Sequence, residues 1–138
     1  MRQETAVLDF QTAGRDLLEI TGEVRRWVQA SGIRTGLLTL LCQHTSASLT
    51  INENAAPAVR RDLLRWLERI APESPAYEHD DEGPDDMPAH IKALLTGNSL
   101  AIPVAEGRPM LGIWQGIYLA EHRTRPHRRT VAVHLLGE

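Results

Sequence analysis

The sequence predicts a single α+β domain, in which a mainly antiparallel β-sheet carries helices on one face. The chain has 138 residues, a length that suits one hydrophobic core. Segments of alternating polarity are interleaved with segments of helical periodicity, and no repeat or linker divides them. Residues 1–138 are therefore expected to form one domain.

The first third of the chain predicts a strand, a helix and a central strand. Polar and apolar side chains alternate over residues 3–10, which is typical of a half-buried strand. Thr21 is a plausible N-cap and Gly32 a plausible stop for the helix that follows. Residues 35–43 are predicted to be a buried strand, and residues 46–53 its continuation or its partner.

A second helix is predicted to begin at Pro57, where an apolar stripe starts and runs to Ile70. Asn54 is a capping candidate for this helix. Periodicity then disappears over residues 71–88, a stretch rich in acids and prolines. A loop this long in a compact domain is usually functional or disordered.

The last part of the chain predicts a short helix and three strands. Asp86 is the expected N-cap of the helix, Pro88 lies in its first turn and Gly97 is its stop. Three strands should follow, of which the first two are joined by a hairpin around residues 105–109.

Composition excludes several classes of protein. A net charge of −3 argues against binding to nucleic acid through a general basic field. The single Cys42 cannot form an intramolecular disulfide, and its apolar context predicts a buried, reduced thiol. The N-terminus has no apolar targeting segment, and no apolar run approaches the roughly 18 residues of a membrane span. We expect a cytoplasmic protein with no membrane or nucleic-acid partner.

Three of the six histidines lie beside other polar groups in segments that also have structural reasons to be ordered. These residues are His44, His79 and His90. Imidazole suits Zn, Ni, Fe or Mn, and three protein ligands would leave an open coordination position. None of the spacings is a short metal-binding motif, so the alternative is that each histidine is an unrelated surface or core group.

His90 is predicted to lie near a helix N-terminus. The helix dipole there disfavours a charged imidazole and keeps the ring able to bind a metal or act as a base. The free backbone N–H groups of the same terminus could instead hold a phosphate.

Two further polar segments could line a pocket. In the first, Asn52, Glu53 and Asn54 stand where a strand gives way to a helix, so Glu53 could be a general base or could orient a ligand. In the second, Trp114 and Gln115 are flanked by glycines that permit close approach of a ligand or of another backbone. The alternatives are capping with surface polarity for the first segment and a bulge for the second.

The segment 121–129 supplies Glu121 as a possible carboxylate ligand. It also supplies four arginines that could bind phosphate oxygens: Arg123, Arg125, Arg128 and Arg129. The alternative is a solvated basic turn, which would also hold His122 and His127. His134 is expected to point outward from the terminal strand.

Taken together, these segments resemble the YjbQ family, which is also named secondary thiamine-phosphate synthase. The motifs "HTSASLTINENA", "YEHDDEGPDDMPAHIKALLTG" and "SLAIPVAEGRPMLGIWQGIYLAEH" occur in family order over nearly the whole chain. The resemblance implies a homotrimer with a polar pocket that binds a divalent metal ion near the subunit interface. Zn, Mg or Mn is the expected ion.

The residue patterns above and the resemblance together give expected roles for individual residues. The expected metal ligands are His44, His79 and His90. The expected catalytic residues are Glu53, Asn54, Gln115 and Glu121. The expected substrate-binding residues are Thr45, Ser46, Asn52, Asp86, Trp114, Gly116, Arg128 and Arg129. The chain departs from the family pattern at Ile113, where a threonine is usual, and at His122, where an aromatic residue is common.

These expectations together predict a metal-binding enzyme that acts on phosphorylated small molecules. The resemblance implies coupling of hydroxymethylpyrimidine pyrophosphate to thiazole phosphate, with release of pyrophosphate. Two alternatives stay open: metal-dependent hydrolysis of a phosphate or other ester, and a trimeric protein that binds a metal or metabolite without turnover.

Overall fold

A computed structural model describes all of residues 1–138 and confirms the α+β class, with three helices and eight strands. The strands are β1 (Arg2–Gln11), β2 (Asp16–Glu19), β3 (Gly36–Cys42), β4 (Ala47–Glu53), β5 (Ser99–Ala105), β6 (Arg108–Pro109), β7 (Gln115–Glu121) and β8 (Arg128–Gly137). The helices are α1 (Thr21–Ser31), α2 (Pro57–Ile70) and α3 (Asp86–Thr96).

The strands form two antiparallel sheets, where one sheet was expected. The larger sheet has the order β1-β8-β3-β5-β6 and the smaller has the order β2-β7-β4. β3 and β4 therefore lie in different sheets, so β4 is neither a continuation nor a pairing partner of β3. The expected hairpin around residues 105–109 does form, but its second strand is the two-residue β6. Residues 110–114 then lead from β6 to β7, which belongs to the smaller sheet.

The core lies between the two sheets and follows from strand alternation. Leu38, Leu40 and Cys42 of β3 point inward beside alternate residues of β8. Leu49 of β4 and Leu119 of β7 face them from the smaller sheet. Cys42 is a buried free thiol, as predicted.

Each helix occupies a different position around the sheets. α1 contributes Val24 and Val28 to the main core. α2 covers the opposite face of the smaller sheet, where Leu63 and Leu64 pack against a small cluster that includes Tyr118. α3 contacts β4, the strand at one edge of that sheet.

The predicted start of α2 at Pro57 and the predicted helix stops are right, but the three predicted N-caps are wrong. Gly32 and Gly97 end α1 and α3, with φ values of 75° and 96°. Thr21, in contrast, is the first helical residue rather than the cap, and its hydroxyl accepts a hydrogen bond from the N–H of Ile117 at 2.8 Å. Asn54 and Asp86 are not N-caps either, since residues 56 and 85 occupy those positions.

The outer face of the larger sheet carries no helix. Its exposed apolar residues are Val7, Leu37, Leu41 and Leu136. His134 lies on this face, as predicted, with its Nε2 atom 3.0 Å from Oε1 of Gln3. None of the three helices combines the length and hydrophobicity that crossing a membrane requires.

Candidate metal centre

His79, Asp86 and His90 bring three potential ligand atoms together at the start of α3. Nε2 of His79 lies 2.8 Å from Oδ2 of Asp86, and Nε2 of His90 lies 3.0 Å from the same oxygen. All three ligand atoms lie within 4.8 Å of one another. We call these residues the histidine–aspartate cluster. Two imidazoles and one carboxylate are a donor set that divalent transition metals accept.

The backbone of the β3–β4 loop fixes the orientation of His90. The Nδ1 atom of His90 lies 2.8 Å from the carbonyl oxygen of Thr45. Because a carbonyl oxygen only accepts hydrogen bonds, Nδ1 must carry the proton. In a neutral ring the lone pair of Nε2 would then face the carboxylate of Asp86. The contact is favourable only when a proton or a metal ion supplies positive charge at Nε2.

Asp86 is buried and is held from the side opposite the histidines. Its Oδ1 accepts a hydrogen bond of 2.9 Å from Arg123, which leaves Oδ2 for the imidazoles. Burial alone would raise the pKa of Asp86, but the hydrogen bond from His79 and the charges of His90 and Arg123 lower it overall. Asp86 is therefore ionised near neutral pH, as a metal ligand must be.

His79 is the most exposed member of the histidine–aspartate cluster. Its hydrogen bond to Asp86 raises the pKa of His79, and the nearby charge of Asp81 acts in the same direction. The Nδ1 atom of His79 lies 3.4 Å from Asp81. A proton and a metal ion therefore compete for the ring nitrogens of His79.

The acidic loop before α3 is held by Arg123 and Thr124. The sequence predicted phosphate binding for Arg123 and no role for Thr124. Arg123 donates to Asp85 at 2.9 Å and to the carbonyl oxygen of Glu82 at 2.8 Å. The backbone N–H of Thr124 also donates to Asp85. Burial would raise the pKa of Asp85, but these hydrogen bonds hold it well below the usual range. The adjacent acids Asp85 and Asp86 at the predicted start of the helix were the available sequence signal.

His44 lies outside the histidine–aspartate cluster, although the next residue, Thr45, contacts His90. Nε2 of His44 accepts a hydrogen bond of 2.8 Å from the backbone N–H of Thr130. This bond uses the lone pair of Nε2 and leaves the proton on Nδ1. Burial, helped by the charge of Arg129, lowers the pKa of His44 and keeps the ring neutral.

Two open grooves flank the histidine–aspartate cluster. One, of about 550 Å³, is lined by His44, Thr45, His90, Ala93, Leu94, Gly97 and Asn98. The other, of about 630 Å³, is lined by Tyr77, Glu78, His79, Asp80, Asp81 and Met87. A small molecule could therefore reach the cluster from either side of α3's first turn.

Glu121, Arg129 and Ser46 form a buried network behind the β3–β4 loop. Arg129 donates to both carboxylate oxygens of Glu121, at 2.8 and 2.5 Å, and to the hydroxyl of Ser46 at 3.0 Å. Thr12 donates to Glu121 as well. Burial would raise the pKa of Glu121, but the hydrogen bonds from Arg129 and Thr12 lower it. These polar groups are occupied within the protein, and their contact with a substrate stays a prediction. Arg128 is exposed and pairs with Asp9.

The remaining predicted site residues lie at the other end of the β4–β7 pair. Glu53 pairs with Gln115 across the two strands, and Asn52 pairs with Gly116. β4 has seven residues, and a strand rises about 3.3 Å per residue, so its two ends are roughly 20 Å apart. One copy of the chain therefore does not bring Glu53 and Gln115 to the histidine–aspartate cluster.

Glu19, for which the sequence predicted no role, holds this second group of residues. Nδ2 of Asn54 donates to Oε2 of Glu19 at 3.0 Å, and Thr21 donates to the same oxygen at 2.8 Å. A Cβ atom on Gly116 would lie 2.7 Å from that oxygen. Gly116 is thus required for the close approach of Glu19. We call Glu19, Asn52, Glu53, Asn54, Gln115 and Gly116 the amide cluster. Trp114 stands beside it with its side chain largely exposed.

His122 is fully inside the protein, not in a solvated turn. Its Nε2 atom lies 2.8 Å from the hydroxyl of Ser48, which in turn contacts Thr96 at 2.5 Å. Burial lowers the pKa of His122 to about 4, and the charge of Lys92 contributes. His122 therefore connects β7 with β4 and α3 as a neutral ring.

Comparisons with known proteins agree with this fold over almost the full chain. A sequence model of the family described as "UPF0047 protein YjbQ-like" matches residues 6–138. A UPF0047 protein of Synechocystis sp. is 48% identical over 138 residues, covering 99% of this chain and 94% of the relative. The UPF0047 protein YjbQ of Escherichia coli is 46% identical over 137 residues, covering 99% and 98%.

Solved structures show the same similarity. A YjbQ/UPF0047 family protein from Clostridium acetobutylicum is 39% identical with a TM-score of 0.87, and the match covers 95% of this chain and 99% of that one. A hypothetical protein from Aeropyrum pernix is 32% identical with a TM-score of 0.89, covering 98% and 99%. With the family model matched from residue 6 to the last residue, the chain belongs to the YjbQ-like UPF0047 family.

Proposed function

We propose that the histidine–aspartate cluster binds a divalent metal ion and that the protein is an enzyme acting on phosphorylated small molecules. The observation that carries the proposal is the convergence of Nε2 of His79, Nε2 of His90 and Oδ2 of Asp86 within 4.8 Å. Two of the three ligands are also oriented by a second hydrogen bond, as metal ligands usually are. Thr45 orients His90, and Arg123 orients Asp86.

The donor set favours Zn or Mn over Mg. Imidazole nitrogens suit Zn, Mn, Fe and Ni, whereas Mg prefers oxygen ligands and retains several waters. Asp86 takes the place that the sequence reading gave to His44, since Nε2 of His44 is occupied by the N–H of Thr130. Three protein ligands leave coordination positions open for a substrate.

Side chains of the protein would surround a substrate bound at the metal centre. When bound, the ion would add positive charge where phosphate oxygens of a substrate lie. The groove lined by Thr45, His90 and Asn98 would hold the rest of the substrate. Arg123 is committed to Asp85 and Asp86, so it would keep the carboxylate in place rather than contact the substrate itself.

Metal analysis tests the first half of the proposal. The protein is purified without a chelator or nickel resin, and its metal content is measured beside that of His79→Ala and His90→Ala. We expect bound Zn or Mn in the unaltered chain and its loss in both variants. His127→Ala is the matched control, because His127 is a half-buried histidine outside the cluster. Equal metal content in all four proteins would reject the site.

The proposed reaction is coupling of hydroxymethylpyrimidine pyrophosphate to thiazole phosphate, as the family resemblance implies. The assay measures thiamine phosphate and pyrophosphate released by the purified, metal-loaded protein. We expect equal amounts of both products, and loss of both with His90→Ala. Phosphate release that does not need the thiazole substrate would instead show a hydrolase. Tight binding with no turnover would show a metal- or metabolite-binding protein.

We further propose that the protein is a cytoplasmic homotrimer whose complete site is shared between copies. The supporting observation is that the histidine–aspartate cluster and the amide cluster lie at opposite ends of β4, roughly 20 Å apart by strand length. The uncovered apolar face that contains Val7 and Leu136 offers surface for a neighbouring copy.

Mixing inactive subunits tests the shared site. The variants His90→Ala and Gln115→Ala are each expected to be inactive alone. Refolded together, they would regain part of the activity if one copy's amide cluster meets the partner's histidine–aspartate cluster. Light scattering reports the mass of each assembly. A monomeric mass, or trimers without any complementation, would contradict the shared site.

A further inference from the structure

A third groove, of about 850 Å³, lies between the C-terminal half of α1 and the β5–β6 hairpin. Its polar lining includes Arg25 and Gln29 of α1, together with Arg34 and Arg108. Leu111 adds apolar surface, whereas Ile33 and Pro109 line the groove as buried residues. We call this region the arginine groove.

The three arginines of this groove differ from most others in the chain. Arg128 pairs with Asp9, and Arg129 with Glu121. The side chains of Arg25, Arg34 and Arg108 are exposed and form neither an ion pair nor a hydrogen bond. The only acid that lines the groove is Glu106. The groove thus carries an excess of positive charge on a chain whose net charge is −3.

The backbone around the arginines is fixed. The carbonyl oxygen of Arg34 accepts a hydrogen bond of 2.9 Å from the N–H of Gly107, and the N–H of Arg34 donates to the carbonyl oxygen of Glu138 at 2.7 Å. Glu106 and Gly107 both have positive φ values, 53° and 74°, which makes the tight turn between β5 and β6. Arg34 and Arg108 therefore stand at fixed positions on either side of this turn.

The arginine groove is remote from the histidine–aspartate cluster. Arg34 lies just before the first residue of β3, and the loop that contacts His90 follows the last. β3 has seven residues, so the two regions are roughly 20 Å apart. A ligand in this groove would be a separate molecule from one at the metal centre.

We propose that the arginine groove binds a small organic anion that carries two or more phosphate or carboxylate groups. Guanidinium groups bind such oxyanions through paired, charge-assisted hydrogen bonds. Because the arginines come from three separate segments, a ligand with several anionic groups can contact more than one of them. The apolar surface of Leu111 suits the carbon body of the ligand.

Calorimetric titration in low salt tests the proposal, with protein that has been stripped of metal ions and then dialysed free of chelator. The probes are ADP, pyrophosphate and citrate, which separate organic from inorganic and phosphate from carboxylate ligands. The test variant is Arg34→Gln combined with Arg108→Gln, which keeps the backbone hydrogen bonds of Arg34. Arg61→Gln is the matched control, because Arg61 is an exposed arginine on α2 that forms no ion pair.

We expect at least one probe to bind the unaltered chain, with an affinity that falls as salt rises. The double variant should bind it about tenfold more weakly or worse, since each charged hydrogen bond lost costs about a factor of ten. Arg61→Gln and His90→Ala should bind as the unaltered chain does. Failure of all three probes to bind at millimolar concentration would overturn the proposal. So would equal binding by the double variant, or loss of binding with His90→Ala.

Discussion

Asp86 and His90 meet one helical turn apart on α3, with Oδ2 of Asp86 3.0 Å from Nε2 of His90. Residues four apart share a helix face, so the helix itself sets this contact. The other nitrogen of His90 is bonded to the carbonyl oxygen of Thr45, which comes from the distant β3–β4 loop. The orientation of the His90 ring therefore depends on the long-range contact with Thr45, whereas its contact with Asp86 is set by α3 alone.

Replacement of Asp86 tests whether this contact serves a metal ion. In Asp86→Asn the size is kept but the charge is lost, so metal affinity should fall by roughly 10- to 100-fold or more. Arg123 also loses a charged acceptor, so the free energy of unfolding should drop by about 1–2 kcal/mol. Competition with a chromogenic chelator measures the affinity, and urea unfolding the stability.

Asp81→Asn is the control for this change. Asp81 is exposed and lies 3.4 Å from His79, on the side away from Asp86. We expect its metal affinity to stay within about threefold of the unaltered chain, since exposed charges interact weakly. Equal losses in the two variants would mean that general negative charge, and not ligation by Asp86, holds the ion.

The sequence grouped His79 and His90 but did not predict the neighbours that hold them. It grouped them together with His44, because each of the three lies beside other polar groups in a segment with structural reasons to be ordered. Asp86 was placed in the same segment but was expected to bind a substrate and to cap the helix. Its pairing with both imidazoles depends on Arg123, which reaches it from beyond β7. Contacts between residues 37 positions apart have no local periodicity that would reveal them.

The strands show a similar limit. Alternation correctly predicted strands in residues 3–10 and in the terminal segment 129–138, which correspond to β1 and β8, and the glycines after α1 and α3 correctly marked the ends of those helices. The separation into two sheets was missed because a buried strand has the same pattern in either sheet. The four-residue β2 was missed as well, since so short a segment carries little periodicity.

Glu121 and Arg129 are expected to matter first for stability. Their side chains are 1% and 5% exposed, so removing one charge leaves the other buried without a partner. For Glu121→Gln we expect the free energy of unfolding to fall by about 3 kcal/mol or more. Arg128→Gln breaks the exposed pair with Asp9 and should cost less than about 1 kcal/mol. Urea unfolding of the two variants measures both changes in the free energy of unfolding. If both changes were small and similar, the Glu121–Arg129 pair would not stabilise the fold.

A side chain at Gly116 is expected to destabilise the protein. A Cβ atom there would lie 2.7 Å from Oε2 of Glu19 and 3.0 Å from Cβ of Asn54. Gly116→Ala should therefore separate these side chains and cost about 1–3 kcal/mol. In Gly22→Ala the new Cβ atom meets only the flexible end of Arg26, at 3.4 Å, so stability should change little. Thermal unfolding measures the two melting temperatures, and equal values for Gly116→Ala and Gly22→Ala would contradict the prediction.

At His44 the sequence predicts a metal ligand, whereas the structure places the residue outside the histidine–aspartate cluster. Its Nε2 accepts the N–H of Thr130, so His44→Ala leaves a backbone donor without a partner and should cost about 1–2 kcal/mol. We expect its metal content to equal that of the unaltered chain. Elemental analysis and urea unfolding of the same preparation give both numbers. Lost metal with unchanged stability would instead make His44 a ligand, as the sequence predicted.

His122 is expected to make the protein less stable in mild acid. Burial lowers its pKa from an ordinary 6.5 to about 4, so between these values the unfolded chain binds a proton that the native chain does not. Stability should therefore fall as the pH drops from 6.5 to 4, by about 3 kcal/mol in all.

His122→Gln keeps a polar group beside Ser48 but does not titrate, so its stability should depend less on pH in this window. The paired carboxylates of Asp86 and Glu121 have lowered pKa values and lose their contribution mainly below the window. The raised pKa of His79 acts in the opposite direction but equally in both proteins. Urea unfolding at several pH values from 4.5 to 7.5 gives the two slopes. Parallel slopes would show that His122 takes up its proton in the native protein as readily as in the unfolded chain.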